Sequence, residues 1–478
     1  MKKLIFSLTL MLLVLVGCGS AAGSNDEVET VTWTTIGVEP ADEQMVEDAM
    51  NEILEPAVGA KIDIIYYDYS EYTDKLNLKF EANDPMDIVF APSWTVPYEE
   101  NAKAGKYVDL DKYIDDGTLK DTYDAVNPQF WEGAKIDDTT YAVPTNKELA
   151  PQEYVLLDQD LVDKYDFDVD SVKTYQDVVP FLEEVTEGEG YPAYFNDLNW
   201  TGIKDKLSYD CVSALQNQVC LDPDNPEDGY QWVFDMPAYV DGMSFVNDMI
   251  DEGIMDSNTL DIVDIATADY GMITQSGYPG ANVTWEQSFG RDYAAIPMAT
   301  PIITTDNTRA SLNVIAASSP HPDLAAKVLN EMNTNSELRT LFAYGIEGEH
   351  YTKNDKDELV FTDQQENYIT GVYTQGNFFI LPLLEGEPED KWEEFDVQNE
   401  NSIISPALGF SPDLSEYTAE IANILNMEEK HKVPLELGNF DDMDADIESA
   451  RSDLDSVGLF EVIDEVNAQY EAWQKENA

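Results

Sequence analysis

The 478-residue sequence holds three cysteines and three histidines, and sets only 26 Lys and Arg against 96 Asp and Glu, a formal charge of -70. Each shortage excludes something. A nucleic-acid binder needs clustered cations against phosphate, and this chain has too few. Adsorption on anionic lipid is disfavoured for the same reason. His321, His350 and His431 lie far along the chain from the cysteines, so the spacing of a zinc site is missing. No H-E-x-x-H, G-x-S-x-G or Walker loop occurs. The G-x-G-x-x-A matches at 17–22 and 188–193 lack the strand–turn–helix setting that gives the motif meaning. An EF-type reading of Asp166, Asp168, Asp170 and Asp177 puts Ser171 where the sharp turn wants glycine. Asp177 is better explained as a capping-box partner of Thr174. No cofactor and no metal are expected. With so many carboxylates, a glycosidase pair can be drawn almost anywhere, so acidic spacing carries no information.

What is there begins at the N-terminus. Lys2 and Lys3 precede an apolar run, Leu4 to Val16, shorter than the about 20 residues of a spanning helix. A charged start, a short apolar stretch and small residues describe a signal peptide, 1–17. The order Leu15, Val16, Gly17, Cys18 resembles the lipobox of bacterial lipoproteins, which implies a diacylglyceryl group on Cys18 and a location on the outer face of the cell membrane of a Gram-positive bacterium. Two acyl chains anchor stably. Residues 18–27, small and polar, form a flexible tether.

Beyond the tether the apolar pattern alternates in period. Residues 28–37, 61–69 and 86–92 read as strands. Between them, Met45, Val46, Ala49, Met50, Ile53 and Leu54 share one helical face that Pro56 should end, and a second helix starts on Ser70 as its N-cap. Strand, helix, strand, helix, strand predicts a parallel sheet with helices on its faces. Ligands of such sheets bind beyond the carboxyl ends of the strands, here near 35–37 and at "SWTVPY", which holds Trp94 and Tyr98. Further strands are expected at "YGMITQ", "YAAIPMATP" and "ASLNVIAAS", a helix from Thr174 disturbed by Pro180, another at 323–332, and an apolar helical stripe from Leu459 to Trp473. Cys211 and Cys220 would sit outside the cytosol, where a disulfide persists, but the sequence leaves their pairing open.

The strings "DIVFAPSW", "YAVPTNKE", "PHPDLAAKVLNEM" and "YGIEGEHY" resemble the extracellular solute-binding lipoproteins of ABC importers, family 1, and "SPALGFSPDLSEYTAEI" resembles a C-terminal domain of unknown function. The resemblance implies an α/β, two-lobe periplasmic-binding-protein-like (type 2) fold with a hinge, an interlobe cleft and a helical C-terminal extension. It implies a first lobe of 28–145 plus 292–342, a second of 146–291 plus 343–400, and a C-terminal region of 401–478. It implies no catalysis, an oligosaccharide as solute, permease subunits as partners and a monomer. By the family layout Glu148 reaches solute, and Tyr278 or Trp285 places an aromatic in the cleft. A sugar ring wants flat aromatics against its C–H face and amides or carboxylates at its rim. Trp33, Trp94, Tyr194, Trp200 and Trp285 are candidates for the first role, and Asn146, Glu148 and Asn377 for the second. Two readings compete with the importer: a lipid-anchored glycosidase and a surface scaffold or adhesin. A peptide or cationic solute is the alternative ligand.

Overall fold

The computed structural model describes residues 28–195, 208–256 and 265–477. The strands that build the site are, in chain order, β1 (Glu29–Ile36), β2 (Ala60–Tyr67), β3 (Ile88–Phe90), β4 (Ala142–Pro144), β5 (Gln152–Asp158), β6 (Asp210–Cys211), β7 (Val219–Leu221), β8 (Tyr230–Trp232), β9 (Met272–Gly277), β10 (Tyr293–Pro297), β11 (Ile302–Ile303) and β12 (Leu312–Ile315).

The first lobe is a five-stranded sheet in the order β2-β1-β3-β12-β4. Strand β1 pairs in parallel with β2 and β3, while β12 returns antiparallel to β3 and β4. Both faces are buried. Ile88 packs with Val31, Trp33 and Met50 on one side; its neighbour Val89 packs with Ile36, Tyr72 and Leu76 on the other. A sheet covered on both faces reads as a continuous apolar run, which is how "IVF" reads.

Two helix boundaries differ from the sequence expectation. The helix Glu43–Val58 runs through Pro56 and ends at Gly59, whose φ of 76° lets its N–H close on the Glu55 carbonyl. Proline in the last turn gives up little more than one hydrogen bond, and glycine supplies the left-handed cap. Ser70 is not an N-cap: its N–H and hydroxyl both donate to Asp68, and the helix starts at Tyr72. Further along, Thr174 and Asp177 do form the capping box, and Pro180 falls in the first turn of the helix Val179–Glu189, where it costs nothing. With Asp177 accepting from Lys173 N, Thr174 N and Thr174 Oγ1, its carboxylate is spent on the cap.

The second lobe is built on the antiparallel sheet β10-β5-β9. Strand β10 therefore belongs to this lobe, and residues 292–297 do not join the first as the sequence layout implied. Ala295 pairs with Leu156 on β5, a long-range partner that the local pattern of "YAAIP" does not specify. The stretch 343–376 likewise packs on the first lobe, not the second. There His350 Nε2 lies 3.4 Å from Asp42 Oδ2, the Tyr368 hydroxyl donates to the Phe342 carbonyl, and Asn313 Nδ2 donates to the Thr374 carbonyl at 2.7 Å.

The C-terminal extension is helical and docks on the second lobe. Its helices Thr418–Leu437, Met443–Asp455 and Leu459–Glu476 bury Ile424, Leu454, Val462 and Val466 in the same core as Leu221, Trp232 and Met243. The three-stranded sheet β6-β7-β8 presents an apolar face that these helices cover. Asn467 fixes the contact by bonding both the N–H and the carbonyl of Tyr230.

Candidate ligand cleft

The chain passes between the sheets after β4 and again after β10, and a cleft of about 750 Å³ opens beside these crossings. From the first lobe, Ser93, Trp94, Thr304, Asp306 and Asn307 line it; from the second come Glu153, Ser276, Tyr209, Ser213 and Asn217.

Trp94 follows the carboxyl end of β3. Its indole N–H donates to the Ala310 carbonyl at 2.8 Å and its ring meets the edge of Phe90 at 6.1 Å, yet the side chain is 52% exposed. One edge is pinned and a face is free. Thr304 caps the short helix Thr305–Thr308 by accepting from Asn307 N, which fixes the Asp306–Asn307 rim.

On the opposite wall Glu153 stands directly across the β5–β9 ladder from Ser276, whose hydroxyl donates to Glu153 Oε1 at 2.7 Å. The remaining wall is the turn between β6 and β7, closed by a disulfide between Cys211 and Cys220, which face each other in register. Gln216 and Asn217 take left-handed backbone there, φ 48° and 59°. Ser213 and Asp306 both line the cleft, where this turn faces the first lobe.

Beneath the turn, Asp210 is buried and held by the Ser405 hydroxyl. Burial, with a smaller push from Asp306, raises its pKa to about 7. The unfolded chain ionises this group near the ordinary aspartate value of 3.8, so between that pH and about 7 the folded state holds the extra proton and stability falls as pH rises. Asp210→Asn removes the burden. It is expected to unfold at a higher temperature than the parent at pH 8, by at most a few kcal/mol of stability, and to converge with it near pH 4. Parallel melting curves from pH 4 to 8 would contradict the assignment.

Of the ligand-contact candidates from the sequence that fall among the described residues, the structure brings Trp94 alone into this cleft. Trp33 is 1% exposed in the first-lobe core, its indole donating to Asn313 Oδ1. Tyr98 is buried too, stacked on Tyr107 with its hydroxyl on the Ala134 carbonyl. Tyr194 lies in the second-lobe core. Asn146 and Asn377 are spent on each other: Asn146 Nδ2 donates to Asn377 Oδ1 at 3.0 Å, and their backbones form a bridge where the chain crosses between lobes. Glu148 pairs with Lys147 at 2.6 Å and does not line the cleft. Trp285 packs on Tyr154 under Gly277, where an added Cβ would stand 2.5 Å from the indole, so the missing side chain is what admits the ring. Tyr278 leans on Phe395 instead of the cleft. Trp200 and Cys18 lie outside the described residues.

Among the lining residues the sequence did not mark are Glu153, Ser213, Asn217, Thr304 and Asp306. One signal could have found the first: Glu153 is the second residue of the strand that follows the first crossing. The others depend on the disulfide-closed turn and on a return crossing set by long-range pairing.

The cleft offers carboxylates, hydroxyls and two amides around one exposed indole. That set suits a polyhydroxylated ligand with an apolar face. No histidine faces it: His321 sits by Asp87 and Glu29, His350 by Asp42 and His431 by Asp453. Two α/β lobes with repeated crossings and a cleft between them define a binding protein of the hinged, two-lobed kind. The chain belongs to the bacterial extracellular solute-binding protein family, whose model matches residues 49–345; residues 406–475 match a domain of unknown function (DUF3502). The family consists of binding proteins and not enzymes. A carbohydrate ABC transporter substrate-binding protein of Streptococcus pneumoniae is 25% identical, over 96% of this chain and 95% of its own. Among solved structures, an N-glycan transport solute-binding protein of the same organism superposes with a TM-score of 0.85 at 24% identity, covering 94% of this chain and all of the other. An HMO-binding, ABC-transporter-associated solute-binding protein of Bifidobacterium longum infantis gives 0.67 at 14% identity, with 94% and 99% covered.

Proposed function

We propose that the chain is the extracellular receptor of an ABC importer, tethered to the outer face of the cell membrane through acylated Cys18, and that it captures an oligosaccharide between its lobes for delivery to the permease. The observation that carries the reading is the cleft itself, where the free face of Trp94 is set against Glu153, Asn217 and Asp306 from both lobes. Family membership and the carbohydrate-binding relatives support it. Contacts from both lobes stabilise the closed form, which is the form a permease would recognise. The crossings around Asn146, Asn377 and 298–301 are the parts that would bend.

Thermal unfolding of the purified chain against a panel of neutral oligosaccharides, peptides and polyamines tests the ligand class. A ligand at about 100 times its dissociation constant adds ~2.7 kcal/mol, so a bound glycan raises the melting temperature measurably. Stabilisation by peptides or polyamines alone would refute the sugar assignment, and hydrolysis of the panel would return the glycosidase. For the tether, Cys18→Ser should move the chain from the membrane fraction to the medium; unchanged membrane association would remove the anchor.

A further inference from the structure

Three exposed apolar side chains stand just past the carboxyl ends of three neighbouring strands: Val38 after β1, Tyr69 after β2 and Trp94 after β3. Two of them belong to one continuous row of rings. The Trp94 ring centre lies 6.1 Å from that of Phe90, and Phe90 lies 6.2 Å from Tyr373, so the Trp94 and Tyr373 centres are separated by at most the sum, about 12 Å. The Tyr373 hydroxyl then meets the Tyr69 hydroxyl at 2.9 Å, and Tyr69 is 55% exposed.

The row is held from below. Phe90 is fully buried, and the segment carrying Tyr373 is tied down on both sides: Arg339 Nη2 donates to the Val372 carbonyl at 2.8 Å and Asn313 Nδ2 to the Thr374 carbonyl at 2.7 Å. Arg339 is itself fully buried. A surface tyrosine pair with so rigid a base resembles the Trp94 arrangement more than a solvated loop contact. Both present an aromatic face on the sheet end where ligands of such folds bind.

We propose that the first-lobe wall continues beyond Trp94 into a second stacking subsite made by Tyr69 and Tyr373, so that the receptor selects glycans long enough to lie along both. This rests on the oligosaccharide reading above and adds chain length to it. Tyr69 and Trp94 follow β2 and β3, which flank β1 and so lie about 10 Å apart across the sheet, a separation that a glycan of more than one sugar spans. Flat rings receive the C–H faces of the distal sugars, and the paired phenols supply hydroxyls for their rims. The competing account, a pair that only ties the 371–374 segment to the end of β2, predicts a change in stability and none in chain-length preference.

The test is calorimetric titration of the full chain with manno-, gluco- and galacto-oligosaccharides from disaccharide to hexasaccharide. In the series that binds, affinity should rise roughly tenfold from the disaccharide to the pentasaccharide. Tyr69→Ala should remove most of that gain while leaving disaccharide affinity within about twofold, and Tyr69→Phe, which keeps the ring, should retain most of it. Equal losses for short and long glycans, or an unchanged pentasaccharide affinity in Tyr69→Ala, would overturn the subsite while leaving the receptor standing. No binding by the parent chain in any series would overturn the oligosaccharide reading and the subsite with it.

Discussion

Trp94→Ala is expected to weaken oligosaccharide binding by roughly 10- to 100-fold and to change folding stability by no more than about 1 kcal/mol. Half the side chain is already in solvent, so little buried area is lost on truncation. What stability it does contribute comes through one hydrogen bond to the Ala310 carbonyl and an edge contact with Phe90. The bound state is different. A ligand stacked on the free indole face removes it from water, and central aromatic anchors of this kind are where binding energy concentrates. Trp33→Ala supplies the contrast, since that indole is enclosed in the first-lobe core and its loss should cost about 3 to 5 kcal/mol of stability. Calorimetric titration alongside urea unfolding separates the two. Affinity within about twofold of the parent in Trp94→Ala would remove Trp94 from the site.

The same pair of tryptophans shows what the sequence could and could not say. Both occur in or beside strands of the βαβαβ opening, and both are the right residue type for a sugar. Position decides between them. Trp94 lies past the end of β3, where such sheets bind ligand, whereas Trp33 is three residues short of the end of β1 and points into a face that the helix Glu43–Val58 covers. Period and strand ends are local properties, so that half of the cleft was legible. Glu153 was not, because one carboxylate among 96 acquires meaning only from Ser276 opposite it on a strand more than a hundred residues away. Ser213 and Asn217 needed the Cys211–Cys220 bond to become a wall. Asn146 and Asn377 had suitable amides for a ligand, but each amide found the other first. The strand at 293–297 was visible as a strand; its membership of the second lobe was not, since either sheet could accept its alternation and only the ladder with β5 chooses.

A loss of stability as large as that of Trp33→Ala is expected at Arg309, which holds up the wall on which Trp94 sits. Its guanidinium is 3% exposed and donates in three directions: Nε to the Gly133 carbonyl at 2.8 Å, Nη2 to the Lys135 carbonyl at 3.2 Å and Nη1 to Glu99 Oε2 at 3.0 Å. The Arg309 carbonyl also accepts from Ser93 N, one residue before Trp94, and the next carbonyl, Ala310, receives the indole N–H. Packing beside this node leaves no slack. Gly133 comes so close to Thr308 that an added Cβ would stand 2.0 Å from Thr308 Oγ1. Arg309→Ala strands two carbonyls and leaves the Glu99 carboxylate with Lys103 as its remaining cation, and should cost about 3 to 5 kcal/mol in urea unfolding. Arg309→Lys should recover little of this, because one ammonium cannot serve three acceptors arranged around a planar fork. Variants that still fold should bind glycan more weakly than the parent, since the Ser93–Trp94 segment loses its support. A loss below about 1 kcal/mol in Arg309→Ala would mean that the helices on either side carry the wall without it, and Trp94 would then owe its position to the Ala310 carbonyl and Phe90 alone.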